Sequence, residues 1–287
     1  MIKRYISEGY FDRVKKDFAF LVKRIHKERG EYDLRLRHNS MNLYYKGNSM
    51  AKIGVTRGDY DVKIHEKFTD LADTRDPRKL TGYKTEHLSS SQLRSFFSKR
   101  ELDKRAARIK KTNWGEEVSF EQMLITDNPP TKKFMIIDRQ VTGGALDRHR
   151  LDLLALKRKR GAKNIYSPVI LEVKLGNNPE LAGAVLEQLC DYIERMERDL
   201  TNIARCYETS YSQMNALGLL EDGMPKAIEI AGPVEGMIVV GGYSGIANNA
   251  IKSLRKAPRS LEGKSEKRIS IWQADNSLLK GSVGLIA

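Results

Sequence analysis

Residues 150–156 read RLDLLAL, and residues 167–175 read SPVILEVKL. Each run is short and mostly apolar, as expected of a buried β-strand, and the basic turn at 157–161 (KRKRG) indicates that the two strands form a hairpin. The first strand contains one acid, and the second contains an acid and a lysine. Charged side chains in apolar strands are costly unless they are paired or bind a metal. We therefore expect this hairpin to organise both the fold and its chemistry.

The composition of the chain restricts the class of partner. The 287 residues carry a formal net charge of +14, which favours a polyanion: nucleic acid first, an acidic membrane surface second. No apolar run approaches the ~20 residues of a transmembrane helix, and the amino terminus lacks the apolar segment of a signal peptide. We expect a cytoplasmic protein that does not enter the membrane.

The cysteine content argues against two further classes of protein. Cys190 and Cys206 are the two cysteines of the chain, and they do not form a CxxC pair. This argues against a disulfide scaffold and against a thiolate zinc site. Both thiols are expected to be free and buried.

The amino-terminal part of the chain changes from a helical to a strand-like pattern. Apolar residues recur at three- and four-residue spacing from Phe11 to Glu28, which predicts a helix. From Tyr32 to Phe68 they alternate, which predicts an antiparallel meander of three or four strands. The polar segment Thr69–Ser91 is typical of a connector, so residues 1–85 are predicted to form an accessory domain. This domain could bind nucleic acid or form a homodimer, although an ordinary half-buried sheet is the favoured explanation of its pattern.

Residues 86–287 are predicted to form a second domain. The elements expected before the hairpin are a helix from about Ser91 to Lys111, a helix over Trp114–Asn128 and a strand over Lys133–Val141. The alternative for Trp114–Asn128 is a strand, because its apolar residues also alternate. After the hairpin we expect one long helix, or two broken near Thr209 and Ser210, then the strand Gly236–Gly242, the helix Ile246–Leu254 and the strand Lys267–Gln273. This order predicts an α/β fold, with a mixed central sheet flanked by helices.

The charged residues of the hairpin have a spacing that suits metal chemistry. Glu172 and Lys174 are two positions apart in a strand, so both project from the same face. The hairpin could set Asp152 beside Glu172, and two carboxylates on neighbouring strands can share a hard divalent cation such as Mg²⁺. Lys174 would then orient a water or stabilise charge in a transition state. The alternative is a simple salt-bridge cluster with no metal.

These residues resemble the PD-(D/E)XK nuclease superfamily. Asp152 matches the metal-binding Asp of that superfamily, although Leu151 replaces the Pro that precedes it; Glu172 matches the second metal ligand and Lys174 the catalytic lysine. The resemblance implies a restriction-endonuclease-like fold and Mg²⁺- or Mn²⁺-dependent hydrolysis of DNA. It also implies that the backbone carbonyl of Val173 ligates the metal. A nucleic-acid-binding protein that keeps this fold without cleaving is the alternative.

Two further features of the superfamily have counterparts on helices. Gln188 and Tyr192 are similar to its QxxxY motif, which implies that they support the site and contact DNA. The superfamily also has a Glu on its first helix, for which Glu117 is our choice. We choose Glu117 because Phe120, Met123 and Leu124, which follow it, would form a packing face near it. Glu121 is the reserve, and the remaining candidates are Glu116 and Glu101.

Other polar residues near the hairpin have competing interpretations. Arg150 and the turn residues Lys157 and Arg158 could hold DNA phosphates, and a solvated turn is the alternative. Asp138 could be a ligand, but a capped Asp at the end of a strand is favoured. His149 is favoured as a solvated loop residue.

Overall fold

The structure is a computed structural model, and it describes residues 2–28, 31–112, 115–147, 149–256, 268–274 and 283–286. The chain divides into two compact units. The meander unit comprises residues 3–127 and 209–226, and the mixed-sheet unit comprises residues 1–2, 128–208 and 227–287. The boundary therefore lies at 127/128, not at 85/86 as the polar segment suggested. The meander unit contains the expected amino-terminal helix and antiparallel meander. The mixed-sheet unit contains the expected mixed sheet with its helices.

The meander unit begins with the predicted helix and continues into the predicted antiparallel strands. Within the described residues its sheet has five strands in chain order. The elements are α1 (Glu8–Lys27), β1 (Tyr32–Arg37), β2 (Ser40–Tyr45), β3 (Asn48–Val55), β4 (Tyr60–His65) and β5 (Tyr83–Leu88). Lys46 and Gly47 form the tight turn between β2 and β3, and both have positive φ, as a two-residue hairpin turn requires.

The segment Thr69–Ser91 contains structure that the sequence did not indicate. It holds a short helix, α2 (Leu71–Thr74), and the edge strand β5. Leu88 is the one fully buried residue of β5, so this strand lacks the alternation that identifies the others. The interpretation of this segment as a connector was therefore wrong. The helix expected from Ser91 to Lys111 is divided into α3 (Leu93–Phe96) and α4 (Lys99–Thr112).

Packing explains why the unit extends beyond residue 85. Phe97, which follows α3, is fully buried and its ring lies edge-on to that of Phe18 in α1, with 6.2 Å between centroids. The segment expected over Trp114–Asn128 is the helix α5 (Glu116–Asp127), not a strand; Trp114 itself lies outside the described residues. Residues 209–226 also belong to this unit, where Gln213 hydrogen bonds to the backbone of Ile6 through both its amide oxygen and its amide nitrogen.

The mixed-sheet unit contains the hairpin. Its strands are β6 (Phe134–Thr142), β7 (Arg150–Arg158), β8 (Ile165–Leu175), β9 (Glu229–Ile230), β10 (Glu235–Gly241), β11 (Ile269–Ala274) and β12 (Val283–Ile286). Among the described residues the sheet order is β12-β11-β10-β8-β7-β6, with β9 paired to β8. The pairs β6–β7, β7–β8 and β11–β12 are antiparallel, whereas β8–β10 and β10–β11 are parallel. The mixed character predicted for this sheet is confirmed.

A bulge in β6 changes the direction of one buried acid. Ile136 pairs with Ala155 and Asp138 pairs with Leu154, so β6 has one residue more than β7 between these pairs. The side chain of Asp138 therefore projects from the same face of the sheet as that of Leu154, whereas regular alternation would place it on the same face as Ile136. Its carboxylate accepts hydrogen bonds from the hydroxyl of Tyr207 (2.9 Å) and from the backbone N–H of Arg139 (2.8 Å). Asp138 is thus inside the strand, not at its end as favoured from the sequence.

The helices of the carboxyl-terminal half are α6 (Ala184–Arg198), α7 (Leu200–Leu217) and α8 (Ser244–Lys256). The break between α6 and α7 lies at Asp199, not near Thr209, because Asp199 leaves the helical conformation and its carboxylate binds the side-chain amide of Asn202. A 3-10 turn at Pro179–Ala182 precedes α6, which begins later than expected. Both cysteines are buried, as predicted, and neither forms a disulfide. None of the described helices has the length and apolar character needed to cross a bilayer.

Candidate metal centre

The β7–β8 hairpin brings the two strand acids together. Leu153 pairs with Leu171 in the antiparallel register, and one further step of that register sets Asp152 opposite Glu172. Directly opposite residues of an antiparallel pair project from the same face, with about 5 Å between their Cβ atoms. The two carboxyl groups therefore lie on one side of the sheet, as the spacing in the sequence predicted.

Asp152 is held by the backbone of the neighbouring strand. Its Oδ2 atom accepts a hydrogen bond from the N–H of Val173 at 2.9 Å, so the side chain replaces a backbone acceptor at the end of the ladder. Burial raises the pKa of this carboxyl, while the Val173 N–H and the charges of Lys174 and Arg150 oppose that rise. The side chain of Glu172 also affects the pKa of Asp152, so the two carboxyl groups lie close together.

Glu172 is the most deeply buried of the three strand residues Asp152, Glu172 and Lys174. Its side chain is 2% exposed, and Oε1 lies 2.9 Å from Nζ of Lys174. Its Oε2 atom is buried and has no hydrogen-bond partner among the described residues. Burial and the neighbouring charge of Asp152 raise the pKa of Glu172 to about 8, against the opposing effect of Lys174. A buried carboxylate oxygen without a partner beside a second carboxylate is the arrangement that a bound cation would stabilise.

Lys174 lies between two acids. Its Nζ atom is 2.7 Å from Oε2 of Glu180 and 2.9 Å from Oε1 of Glu172. Burial alone would lower the pKa of this ammonium group, but the hydrogen bonds and charges of the two glutamates reverse the effect and raise it. The lysine is therefore held as a cation against the acids of the site.

Glu180 is a residue of this site that the sequence did not reveal. It follows β8 in the 3-10 turn, where its backbone N–H donates to the side chain of Asn178 at 2.9 Å. The turn returns Glu180 towards the end of β8 and sets it against Lys174. The available signal was the sequence Asn178-Pro179-Glu180 directly after the strand, which indicated a helix start and not an ion pair with the strand lysine.

The donor set fits a hard divalent cation with few protein ligands. Within the described ranges, no group of three or more His, Cys, Asp or Glu side chains is arranged to bind a metal. Asp152 and Glu172 form a pair, and the nearby carboxylate of Glu180 is engaged by Lys174. Magnesium commonly takes only one or two protein carboxylates and retains several waters, so a pair of acids is sufficient for it. The carbonyl of Val173 stays a prediction as a further ligand.

Gln188 and Tyr192 form one unit on α6. The side-chain amide of Gln188 donates to the hydroxyl of Tyr192 at 2.6 Å. Burial raises the pKa of Tyr192, the Gln188 hydrogen bond lowers it, and the charges of Glu172 and Asp152 raise it again, which places the phenol near the acids. Tyr192 is only 2% exposed, so it has little surface for the DNA contact expected of it. Its ring contacts that of exposed His149, with 5.7 Å between centroids.

The predicted DNA-binding residues are divided between the two ends of β7. Arg150 is exposed and close enough to Asp152 to affect its pKa. Lys157 and Arg158 lie five and six residues further along the strand, roughly 16–20 Å from Asp152. Lys157 also forms an ion pair with Glu235, at 2.6 Å. The hairpin thus separates its basic turn from the acids, and the turn does not lie beside the site as expected.

The reason for choosing Glu117 as the helix acid was wrong. Met123 is 56% exposed, so the expected packing face is not formed, and the buried residues of α5 are Glu121 and Gln122. Glu121 is 2% exposed, whereas Glu117 is partly exposed. Polar residues occupy the inner face of this helix, and apolar spacing therefore could not identify it. The helix α5 belongs to the meander unit, and the assignment of a helix acid stays a prediction.

The remaining candidates are Glu116 on α5 and Glu101 on α4. Glu116 is exposed at the start of α5. Glu101, on α4, pairs with Lys104 at 2.8 Å, and this hydrogen bond lowers its pKa. An acid held by a surface lysine on its own helix is explained without a catalytic role.

Comparisons with known proteins found no matching family model, no similar curated protein and no similar solved structure. The resemblance to a nuclease superfamily therefore depends on Asp152, Glu172 and Lys174, on the motif Gln188-xxx-Tyr192, and on their geometry.

Proposed function

We propose that this protein is a divalent-metal-dependent nuclease that hydrolyses phosphodiester bonds in DNA. One observation carries the proposal: Asp152 and Glu172 are buried carboxyl groups on neighbouring strands, and one oxygen of Glu172 lacks a hydrogen-bond partner among the described residues. Buried acids in this arrangement repel each other when both are ionised, and either a proton on one of them or a shared cation relieves that repulsion. Lys174 beside them supplies the donor that phosphodiester hydrolysis needs.

Each residue has a separate part in the proposed reaction. Asp152 and Glu172 would hold Mg²⁺ or Mn²⁺, with the N–H of Val173 keeping Asp152 in position. The cation, when bound, neutralises charge that develops on the phosphate. Lys174 would orient the attacking water or stabilise that charge through its ammonium group. Gln188 would hold Tyr192 against the acids as a positioning pair.

The proposed partner follows from the charge of the chain. A net charge of +14 favours a polyanion, and Arg150 is an exposed cation beside the acids. We propose DNA as the substrate and the cytoplasm as the place of action. Binding should weaken steeply with salt, because phosphate neutralisation dominates such contacts.

The first prediction concerns cleavage. Labelled linear, circular, branched and single-stranded DNA should be cut with Mg²⁺ or Mn²⁺ and left intact with EDTA. Asp152→Ala, Glu172→Ala and Lys174→Ala should each abolish cleavage, since each removes a cation ligand or the donor at the phosphate. The matched control is Lys157→Ala, which removes a lysine from the far end of the hairpin and should retain cleavage.

A folding control separates chemistry from stability. Asp152→Ala leaves the buried N–H of Val173 without its acceptor, which costs about 1–3 kcal/mol. Asp152→Asn keeps an oxygen at that position and should also be inactive while unfolding at nearly the wild-type temperature. Retained cleavage in all three alanine variants would remove the site assignment, and cleavage in EDTA would remove the metal.

The second candidate function is a nucleic-acid-binding protein that does not cleave. The observation in its favour is that Lys174 already has two acidic partners, Glu172 and Glu180. That cluster could be structural, with no metal required. A protein of this kind would bind DNA without turnover under every metal condition.

A further inference from the structure

The two faces of the meander sheet differ in their surroundings. One face is covered, and there the rings of Phe18 in α1 and Tyr60 in β4 pack edge-on at 5.1 Å between centroids. The other face is open over β3, β4 and β5. Lys52 pairs with Lys63, and Lys63 pairs with Thr85, so these three side chains form a row across the strands. All three are exposed.

The two lysines of this row lack acidic partners. Neither has a carboxylate at salt-bridge distance among the described residues. Asp61 is the acid nearest in register on this face, and its Oδ1 atom is taken by Nδ1 of His87 at 2.6 Å. Like charges directly opposite each other destabilise a sheet. An anion bound between Lys52 and Lys63 would relieve that repulsion.

An exposed aromatic ring lies beside the lysines. Tyr83 pairs with His65 two residues along the strands from the lysine row, on the same face, and it is 49% exposed. Its ring lies edge-on to His65 at 5.0 Å and has Nζ of Lys52 at 4.9 Å from its centroid. A lysine above an exposed ring is a weaker contact than a stacked nucleobase, so a base can replace it and release Lys52 to a phosphate.

We propose that Lys52, Lys63, Tyr83 and His65 form a binding surface for single-stranded DNA. Nucleobases would stack on Tyr83, and the backbone phosphates would contact the two lysines. Duplex DNA is disfavoured because its base faces are covered by stacking, and an acidic protein segment would not use the ring. The surface contains none of the residues proposed for cleavage; only the choice of DNA over RNA rests on the proposed function.

The test measures binding in EDTA, where the proposed cleavage is absent. Fluorescence anisotropy of a labelled oligothymidylate of about 15 nucleotides reports the affinity. The double variant Lys52→Gln/Lys63→Gln should weaken binding about tenfold and reduce the salt slope by about 1.4, the value for two phosphate contacts on a single strand. Tyr83→Leu should weaken binding to the oligothymidylate about fivefold and leave binding to an abasic strand of equal length unchanged.

A matched control carries the same loss of charge elsewhere. Lys84 is exposed on the opposite side of β5, beside Glu86, and Lys99 is exposed on α4 beside Asp103. Lys84→Gln/Lys99→Gln should bind oligothymidylate within about twofold of wild type. Equal binding by the two double variants would overturn the proposal. So would an equal effect of Tyr83→Leu on the abasic strand, or tighter binding of duplex or oligouridylate than of oligothymidylate.

Discussion

Glu172 is a buried carboxyl group on β8, and its pKa depends on its burial and on the charges around it. Burial raises this pKa to about 8, although Lys174 lies at 2.9 Å. The reason is that Lys174 is shared with Glu180 and that Asp152 adds a second negative charge. A divalent cation would provide the missing charge. The raised pKa of Glu172 therefore predicts how the stability of the protein depends on pH and on a bound divalent cation.

We expect the stability of the protein to fall as pH rises through the titration of Glu172. Its folded pKa of about 8 is above the ordinary value of 4.5, so the folded state holds the proton more tightly than the unfolded state. The resulting stability is complete below about pH 4.5 and is lost as pH approaches 8. Mg²⁺ should therefore raise the melting temperature, measured by scanning calorimetry, more at pH 8 than at pH 5.

Two variants make this prediction specific. Glu172→Gln removes the titrating group and a cation ligand, so it should flatten the pH dependence and abolish the metal effect. Glu187→Gln changes an exposed acid of α6 and should keep both. An equal response to Mg²⁺ in wild type and Glu172→Gln would show that the cation does not bind at this carboxylate.

At the scale of residues, strand periodicity carried the prediction of the site. It was sufficient to place Glu172 and Lys174 on one face, and hairpin pairing was sufficient to bring Asp152 to them. The ion pair with Glu180 could not be predicted, because it depends on the path of a turn. Burial of Glu121 could not be predicted either, since apolar spacing says nothing about a helix whose inner face is polar.

At the scale of elements, the end of β8 depends on a close approach between backbones. Gly176 follows that strand, and its N–H donates to the carbonyl of Gly241 at 2.9 Å. A Cβ atom at Gly176 would lie 2.6 Å from the carbonyl oxygen of Gly242 and 2.7 Å from Cβ of Ala247. Glycine at this position lets the loop between β10 and α8 reach the strand that carries Lys174.

We predict that Gly176→Ala destabilises the protein by about 1–3 kcal/mol, because backbone atoms must move to admit the methyl group. Gly245→Ala is the matched control, since a Cβ there meets nothing within 4 Å and the residue lies in α8. It should be neutral or stabilising by up to about 1 kcal/mol. The free energy of unfolding from urea titrations measures both changes, and equal values would contradict the close approach.

Most elements could be predicted because their burial follows the period of the strand or helix. Burial alternates along β4 and most of β3, and β7 and β8 are buried on both faces over most of their length. The strand β5 could not be found, since it is an exposed edge held by backbone pairing to β4. The break at Asp199 was missed because apolar residues continue at helical spacing on both sides of it.

At the scale of the whole molecule, the two units are not consecutive segments of the chain. The meander unit needs residues from both sides of residue 85 and a further segment at 209–226. Sequence composition marks polar stretches, but it does not show which later segment returns to an earlier core. The predicted division at 85/86 was wrong for this reason.

The discontinuity predicts the behaviour of a fragment. In residues 86–287 expressed alone, α3 and α4 should lose stable structure, because Phe97 and the helices beside it lose α1 and the sheet that cover them, whereas the mixed-sheet unit lacks only residues 1–2. Circular dichroism should therefore show less helix in the fragment than α3 to α8 would give, with the full chain taken through the same purification as control. A fragment that keeps the full helix content of α3 to α8 would instead support the division at residue 85.

The bulge in β6 marks the point at which that strand can change length. Ile136 pairs with Ala155 and Asp138 pairs with Leu154, so Ile137 between them has no partner residue on β7. Loss of Ile137 would preserve both pairs and the orientation of every other side chain. A deletion elsewhere in β6 would exchange inward and outward residues, so homologous chains of different length should vary at 137 and in the loops around the strand.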